Sequence, residues 1–391
     1  MSGSCSIQDV FNRFYPGFEK AHALSAPQRK AAYHIMNCKT GAFGVNISVC
    51  EGCGCISVHY NSCRDRCCPM CQEFPKEKWV DARREDVLDA PYFHVVFTVP
   101  EELNPVIYSN QKLLYNALYH ASSGTLQELA SDNKYLGADI GYICILHTWG
   151  SGMNFHPHIH AIVLGGGLDS KNHWKNCGED FFLPIRVISR LFRGKYLAEL
   201  KQLWEDGQLE FHGTAKPYQN HYAFKELLNI CYGKEWVPYC KKPFNGAESV
   251  IRYLGKYTHR IAISNYRIKS MTDNSVTFAA KDYKNQGQWK SVTIPGEEFI
   301  RRFLMHVPPK RFVRIRHYGL LSSRNKSRKI TLCRNLLGCE KYISWLKEMD
   351  APAIIKFLYN KDVCICSSCG GRIIPFPTGQ YQVRPTPHLI C

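Results

Sequence analysis

The sequence predicts an α+β fold whose main domain is built on a mainly antiparallel β-sheet flanked by helices. Apolar, β-rich stretches such as YFHVVFTVP (92–100), YICILHTWG (142–150) and HPHIHAIVLGGG (156–167) are separated by segments of helical pattern. The glycine-containing link between the second and third stretches predicts a hairpin of 142–149 against 157–164. Strands that alternate with helices and also pair as hairpins are typical of this class.

We divide the chain into three predicted regions, 1–88, 89–330 and 331–391. The first combines a small helical domain with a cysteine-dense segment, the second holds the sheet, and the third is a C-terminal cysteine-containing segment. In the first region four apolar residues recur at helical spacing, namely Ile7, Val10, Phe11 and Phe14. Further helices are predicted within the second region at 107–130, 186–206 and 245–259.

The composition favours a polyanionic partner. The formal net charge is +17 and 13% of the residues are aromatic, a combination that suits stacked, unpaired bases. We expect a cytoplasmic protein, because neither a signal peptide nor an apolar run long enough to span a membrane is visible. In a reducing compartment the 19 cysteines are expected to be thiols or metal ligands rather than disulfides.

The cysteine-dense segment CEGCGCISVHYNSCRDRCCPMC predicts a structural Zn²⁺ site. It contains two CxxC pairs, Cys50 with Cys53 and Cys68 with Cys71, separated by fourteen residues. Two such turns that face each other complete a tetrahedral site, as in a zinc ribbon, and four protein ligands leave no open position for catalysis. The role of four further candidate ligands in the segment stays open: Cys55, His59, Cys63 and Cys67.

A third CxxC pair, Cys366 with Cys369, lies in CICSSCGGR near the C-terminus. It predicts a zinc knuckle, but no second CxxC follows it in this region. The candidate partners are Cys333, Cys339, His388 and Cys391.

A histidine strand predicts a second, open metal site. His158 and His160 are two residues apart in a β-like run, so their side chains share one face. The predicted hairpin brings His147 alongside them. Three imidazoles that converge leave room for substrate oxygens on the metal. His156 lies one step further out on the same face, where we expect a hydrogen-bonding or DNA-contacting role.

The segment NGAESVIRYLGKYTHRIA predicts a helix with two phenols on one face. Tyr253 and Tyr257 are four residues apart, and Arg252, Lys256 and Arg260 surround them with positive charge. A phenol with a pKa near 10 is a poor nucleophile, so neighbouring cations and a metal-polarised phosphate would be needed to activate it.

Several of these motifs together resemble the HUH rolling-circle transposases of bacterial insertion sequences. The resemblance runs from about residue 7 to 370 and rests on HPHIHAIV, YLGKY, CKTGAFG and FLMHVPPKRFVRIRHYGLL. The most similar group has two catalytic tyrosines and an N-terminal zinc-binding domain, the IS91 type. Where that group commonly has a histidine before CPxC, this chain has Cys67, and the group's Gly-Gly-His reads Gly44-Val45-Asn46 here.

The resemblance implies an HUH nuclease domain and its chemistry. One divalent cation, Mg²⁺ or Mn²⁺, would be bound by His158 and His160, while Tyr253 and Tyr257 would attack single-stranded DNA to give a 5′-phosphotyrosine and a free 3′-OH. The third metal ligand varies in such enzymes; hairpin geometry favours His147, with His259 as the alternative. The expected partners are single-stranded element ends, with possible hairpins.

The stretch from Arg301 to Arg334 contains eleven Lys or Arg and no acidic residue. We predict that it contacts DNA phosphates and confers strong salt dependence but little sequence preference. In FVRIRHYG the arginines alternate with Val313 and Ile315, which predicts one cationic and one buried strand face. With Lys256 and Arg260 from the tyrosine helix, the predicted DNA-binding residues are Lys310, Arg311, Arg314 and Arg316.

Two other functions stay open. A plasmid replication initiator or relaxase would share the HUH chemistry, although the cysteine-dense N-terminal segment and KRFVRIRHYG favour a transposase. The third reading is an inactive zinc-dependent DNA-binding protein. The presence of both histidines of the HxH motif and of both tyrosines argues against it.

Overall fold

A computed structural model of the chain describes residues 5–178, 183–236, 239–241, 249–251, 253, 255, 261–282 and 287–376. Its helices are α1 (Ile7–Ala21), α2 (Ala26–Asn37), α3 (Glu73–Arg84), α4 (Asn104–Ser109), α5 (Gln111–Ser131), α6 (Ile185–Glu205), α7 (His221–Gly233), α8 (Gly296–Met305), α9 (Lys326–Leu337) and α10 (Ala351–Tyr359). Its strands are β1 (Val45–Cys50), β2 (Ile56–Tyr60), β3 (Tyr92–Thr98), β4 (Asp139–Trp149), β5 (Phe155–Leu168), β6 (Trp174–Asn176), β7 (Tyr239–Lys241), β8 (Ile268–Met271), β9 (Ser275–Asp282), β10 (Gln288–Pro295), β11 (Ile315–Gly319) and β12 (Ile373–Pro375). Short 3₁₀ turns occur at Glu101–Leu103, Gly213–Gln219 and Asn265–Arg267.

The largest sheet has six strands and is antiparallel throughout its described pairings. Its order is β11-β4-β5-β3-β7, with β6 added to the end of β5. The predicted hairpin is present as β4 and β5, in a register that places His147 opposite His158. The α+β class with a mainly antiparallel sheet is therefore confirmed.

The two faces of this sheet bury different cores because side chains alternate along each strand. In β3, Phe93, Val95 and Phe97 join the larger core, which α5 and α6 cover. Tyr92 lies on the opposite face with Ile143 of β4 and Ile162 of β5. Residues 249–251, 253 and 255 are helical, and Val250 and Tyr253 pack on this second face. The segment that contains Val250 and Tyr253, which we call the tyrosine segment, therefore covers the same sheet face that carries His158 and His160.

The N-terminal helices pack on a second, three-stranded sheet formed by β8, β9 and β10. Helix α1 begins after a capping box in which Ser6 and Asp9 satisfy each other's backbone N–H groups. The predicted stripe of Ile7, Val10, Phe11 and Phe14 is buried there against α8. This core joins residues on both sides of the predicted boundary at 88, because α1 and α2 cover a sheet that follows the tyrosine segment.

A third sheet joins a strand from the C-terminal segment to two strands of the cysteine-dense N-terminal segment. Strand β12 pairs antiparallel with β1, and β1 pairs with β2. The C-terminal segment therefore packs on the cysteine-dense N-terminal segment. Within the described ranges, the helices are all too short or too polar to cross a lipid bilayer.

Candidate active site

Three histidines converge at one end of the large sheet. The ligand nitrogens of His147, His158 and His160 all lie within 4.8 Å of one another, and the Nε2 atoms of His158 and His160 are 3.0 Å apart. The register explains the cluster, since His147 is paired with His158 across β4 and β5 and His160 follows two residues later on the same face. All three imidazoles are at least nine-tenths buried.

The surroundings of these imidazoles keep them neutral. Burial, followed by the neighbouring His156, lowers the pKa of His158 to about 3. Burial and then His147 hold the pKa of His160 well below its usual value. The Nδ1 atom of His158 lies 2.6 Å from the carbonyl oxygen of His156, so Nδ1–H donates to that oxygen and Nε2 keeps its lone pair. Neutral imidazoles with a free Nε2 are the form in which histidine binds a metal ion.

The donor set fits a divalent cation. Adjacent nitrogen ligands of an octahedral ion with bonds of about 2.1 Å are separated by ~3.0 Å, which matches the two Nε2 atoms. His156 contributes through its backbone carbonyl, and its half-buried ring lies 5.0 Å from that of His158.

Tyr253 contacts the histidine cluster directly. Its hydroxyl lies 2.9 Å from Nδ1 of His160 and 2.7 Å from Nε2 of His94. The helical backbone at this point packs Val250 into the apolar layer on the same sheet face, which brings the phenol to the edge of the imidazoles. Four predicted site residues of the tyrosine segment lie outside the described residues: Lys256, Tyr257, His259 and Arg260.

His94 is a site residue that sequence reasoning missed. It lies in the middle of β3, is 8% exposed, and its Nε2 is 2.8 Å from Nδ1 of His160. In the register of β3 and β5, Val96 is opposite His160, so His94 projects from the same face one step along. The alternation in YFHVVFTVP assigns His94 to the face opposite Phe93 and Val95, but only the strand order places it beside His160.

Eight of the described cysteines form two clusters of four, and the predicted pairing is corrected. Cys68 and Cys71 join Cys38 and Cys63, whereas Cys50 and Cys53 join the C-terminal pair. The two CxxC turns of the N-terminal segment therefore do not face each other. The reason is that β1 and β2 direct the first turn towards β12, while the second turn packs against the end of α2.

The cluster of Cys50, Cys53, Cys366 and Cys369 consists of two equivalent turns. In each, the N–H of the glycine after the pair donates to the carbonyl of the first cysteine, at 2.9 Å. These glycines, Gly54 and Gly370, have φ values of +73° and +74°, which favour glycine. Backbone N–H donors lower the pKa of Cys366 to about 6, and a thiolate is the form that binds zinc.

Sulfur spacing in both clusters fits zinc. Four sulfurs at the usual Zn–S distance of about 2.3 Å occupy a tetrahedron with edges of ~3.8 Å. The Sγ atoms of Cys53 and Cys366 are 3.7 Å apart, as are those of Cys63 and Cys71, and Cys50 and Cys369 are 3.4 Å apart. We therefore assign two structural zinc sites to the described chain.

The remaining candidate zinc ligands lie apart from both clusters. Cys67 is buried, and burial, followed by Asp65, raises the pKa of its thiol to about 12, so it packs as a neutral core residue. Neither metal cluster identified in the described ranges includes Cys55, His59, Cys333 or Cys339. His388 and Cys391 lie outside the described residues.

The stretch from Arg301 to Arg334, which we call the basic stretch, is partly neutralised by acidic residues from elsewhere in the chain. Arg301 and Arg302 pair with Glu298, Lys326 with Asp86, and Lys329 with Asp139. Although the stretch itself contains no acidic residue, it therefore does not form a continuous cationic surface.

Arg314 and Arg316 are engaged inside the protein. The Arg316 guanidinium lies 3.9 Å from the ring centroid of Tyr119 and donates to Asn116, while that of Arg314 lies 5.9 Å from Trp149. Val313, expected on the buried face, is 59% exposed. The structure thus corrects the expected free cationic strand face. Lys310 and Arg311, by contrast, are exposed.

Comparisons with known proteins identify two family matches. Residues 10–99 match a family described as a transposase zinc-binding domain, of the IS91 type. Residues 141–329, which contain the histidine strand and the tyrosine segment, match a family described as a putative transposase. The zinc-binding match includes Cys50 and Cys53 but stops far before Cys366 and Cys369.

Two curated relatives cover most of the chain. The putative transposase y4qJ of Sinorhizobium fredii (strain NBRC 101917 / NGR234) is 42% identical over 334 residues, 85% of this chain and 84% of the relative. The transposase for insertion sequence element IS801 of Pseudomonas savastanoi pv. phaseolicola is 28% identical over 348 residues, 87% of this chain and 81% of the relative. No solved structure matches. The chain therefore belongs to the insertion-sequence transposases of the IS91 type.

Proposed function

We propose that the protein is a rolling-circle transposase that nicks and rejoins single-stranded DNA through a covalent 5′-phosphotyrosine on Tyr253. The observation that carries the proposal is the contact between the Tyr253 hydroxyl and His160, 2.9 Å from Nδ1. The other nitrogen of the same ring faces His158 across 3.0 Å. The proposed nucleophile therefore contacts one nitrogen of an imidazole whose other nitrogen would bind the metal.

His147, His158 and His160 would hold the cation, which when bound polarises the scissile phosphate and neutralises charge that develops on its oxygens. Mg²⁺ or Mn²⁺ is the expected ion. Deep burial fixes the rings of these histidines, and the hydrogen bond from His158 to the His156 carbonyl fixes its tautomer.

His94 orients the attacking oxygen. A His160 ring that uses Nε2 as its ligand atom carries its hydrogen on Nδ1, so the Tyr253 hydroxyl donates to His94 Nε2, 2.7 Å away. This hydrogen bond holds the phenol in one rotamer. In the reaction the Tyr253 hydroxyl releases its proton to solvent and its oxygen forms a bond to phosphorus, while the bond from phosphorus to the 3′-oxygen breaks. The leaving 3′-oxygen takes up a proton, so that the leaving strand ends in a 3′-OH.

Tyr257 remains the predicted second nucleophile, four residues further along the predicted helix. Lys256 and Arg260 remain predicted DNA contacts. Two tyrosines would allow one strand to be held covalently while a second strand is cleaved, which a cycle of cleavage and joining requires.

The proposal is tested by incubating labelled single strands that carry candidate element ends with protein and Mg²⁺ or Mn²⁺. Wild-type protein should give a protein-linked product on a denaturing gel, and the Tyr253→Phe/Tyr257→Phe double variant should give none. Tyr222→Phe is a matched control, because this tyrosine is 80% exposed on α7. A phosphotyrosine adduct formed by the double variant would overturn the assignment.

A second variant separates catalysis from binding. His158→Ala should abolish cleavage and keep salt-sensitive binding of the same strands, since the residue is a predicted metal ligand and not a DNA contact. Equal loss of cleavage and binding would contradict the metal-ligand role.

A further inference from the structure

A cavity of about 730 Å³ lies away from the histidine cluster, between the N-terminal zinc-binding region and the segment after α8. Its walls are the first turns of α2, residues 63–67 and residues 307–311. We call this cavity the basic cleft. None of the clustered histidines lines it, so it is distinct from the candidate active site.

The walls of the basic cleft carry cations that have no acidic partner among the described residues. Lys30, Arg64, Lys310 and Arg311 are exposed, and no acidic side chain pairs with them in the part of the chain that the structure describes. The acidic residue of the lining, Asp65, has its carboxylate 3.0 Å from His34.

A fifth cation secures one wall to the other. Arg66 donates to the backbone carbonyls of Phe312 and Pro309, at 2.5 and 3.1 Å. Backbone carbonyls do not neutralise its positive charge, and no described acidic residue forms an ion pair with it. The cleft therefore keeps its positive charge, whereas Glu298, Asp86 and Asp139 neutralise cations elsewhere in the basic stretch.

The backbone at two of these cations is unusual. Arg64 and Arg311 have φ values of +54° and +58°, in the left-handed region that long side chains rarely adopt. Such conformations persist where the surrounding structure enforces them, and they are concentrated at functional sites. Here they direct two arginines from opposite walls into one cavity.

Contacts connect the basic cleft with the histidine cluster. His306, which immediately precedes the 307–311 wall, is buried and lies 3.1 Å from both Thr148 Oγ1 and the Met153 carbonyl, at the β4–β5 turn. On the other side, the Arg314 guanidinium lies against Trp149, whose ring stacks on His147 with centroids 4.6 Å apart.

We propose that the basic cleft binds the sugar–phosphate backbone of DNA next to the cleaved site. Unpaired lysines and arginines on two facing walls are the chemistry that recognises a chain of phosphates, and such contacts position DNA without reading its sequence. The proposal rests on the proposed function for DNA as the ligand, but not on the identity of the nucleophile.

The test uses full-length protein with His158→Ala to prevent cleavage, and measures affinity for a labelled single-stranded oligonucleotide over a salt series. Each phosphate contact contributes about 0.7 to the slope of log affinity against log salt for single strands. Arg64→Gly/Arg311→Gly should therefore reduce the slope by ~1.4. Because glycine readily adopts positive φ, the melting temperature should be unchanged or higher.

Lys171→Gln/Lys216→Gln is the matched control, since both residues are exposed and neither lines the basic cleft. Its slope should equal that of the parent. An unchanged slope in the glycine variant, or an equal fall in the control, would overturn the proposal. If the slope falls in the glycine variant but the protein with His158 intact forms no tyrosine adduct, the cleft assignment stands while the proposed function fails.

Discussion

Removal of the C-terminal cysteine pair should lead to the loss of one of two expected zinc ions. Cys366 and Cys369 supply half of a four-sulfur cluster whose other half, Cys50 and Cys53, lies more than 300 residues earlier. Two thiolates on one turn do not complete a tetrahedral site. Cys366→Ser/Cys369→Ser should therefore bind one zinc ion per chain, held by the cluster that includes Cys38, whereas the wild type should bind two.

The same substitution should release the C-terminal strand. β12 has three residues, and its two isoleucines, Ile373 and Ile374, are half-buried. Their burial contributes about 2 kcal/mol, less than the ~3–6 kcal/mol needed to fix the backbone of three residues. Without about 10 kcal/mol or more from a structural zinc ion, the strand should detach from β1.

Native mass spectrometry measures the zinc count, and limited trypsin digestion measures release of the strand. Cleavage after Lys361 and Arg372, both exposed, should become faster in the double variant. Cys339→Ser/Cys364→Ser is the matched control, because neither residue belongs to a cluster formed by the described residues, and it should retain two zinc ions. Two zinc ions in the Cys366→Ser/Cys369→Ser protein would refute the chain-spanning site.

Three further outcomes are expected. His94→Leu should slow formation of the Tyr253 adduct about 10–100-fold, the equivalent of one positioning hydrogen bond, with partial rescue by His94→Gln; a wild-type rate for His94→Leu would contradict the positioning role. Burial lowers the pKa of His306 to about 4, so protonation of this residue alone should lower the free energy of unfolding by about 3 kcal/mol as the pH drops from the unfolded-state value near 6.5 to 4. Urea titrations should show a smaller fall for His306→Gln over this pH range, and an equal fall in both proteins would contradict the prediction. Mild chelation should stop nicking while both zinc ions remain bound, and metal analysis that finds zinc lost together with activity would count against separate sites.

Local patterns predicted the parts of the fold and site that depend on neighbouring residues. The alternation of His158 and His160, with a short link back to His147, was sufficient to predict three converging imidazoles, because a tight hairpin fixes its own register. The buried stripe of α1 was predictable in the same way from helical spacing.

Features that depend on distant pairing were not predictable. The spacing of the two N-terminal CxxC turns indicated a local ribbon, but Cys50 and Cys53 have partners that only the β1–β12 pairing brings near. His94 occupies an alternating strand, yet its place beside His160 depends on β3 lying next to β5 and not β4. The charge of the basic stretch was overestimated because its acidic partners, including Asp86, come from other elements.

We propose that Tyr253 attacks DNA beside the histidine cluster. The most direct test of this step is to trap the covalent product on a single strand with Mn²⁺, digest the protein and locate the nucleotide by tandem mass spectrometry. We expect the nucleotide on the Tyr253 peptide in the wild type and its absence from that peptide in His158→Ala. A nucleotide attached only to residues other than Tyr253, or an adduct that forms undiminished in His158→Ala, would contradict the account.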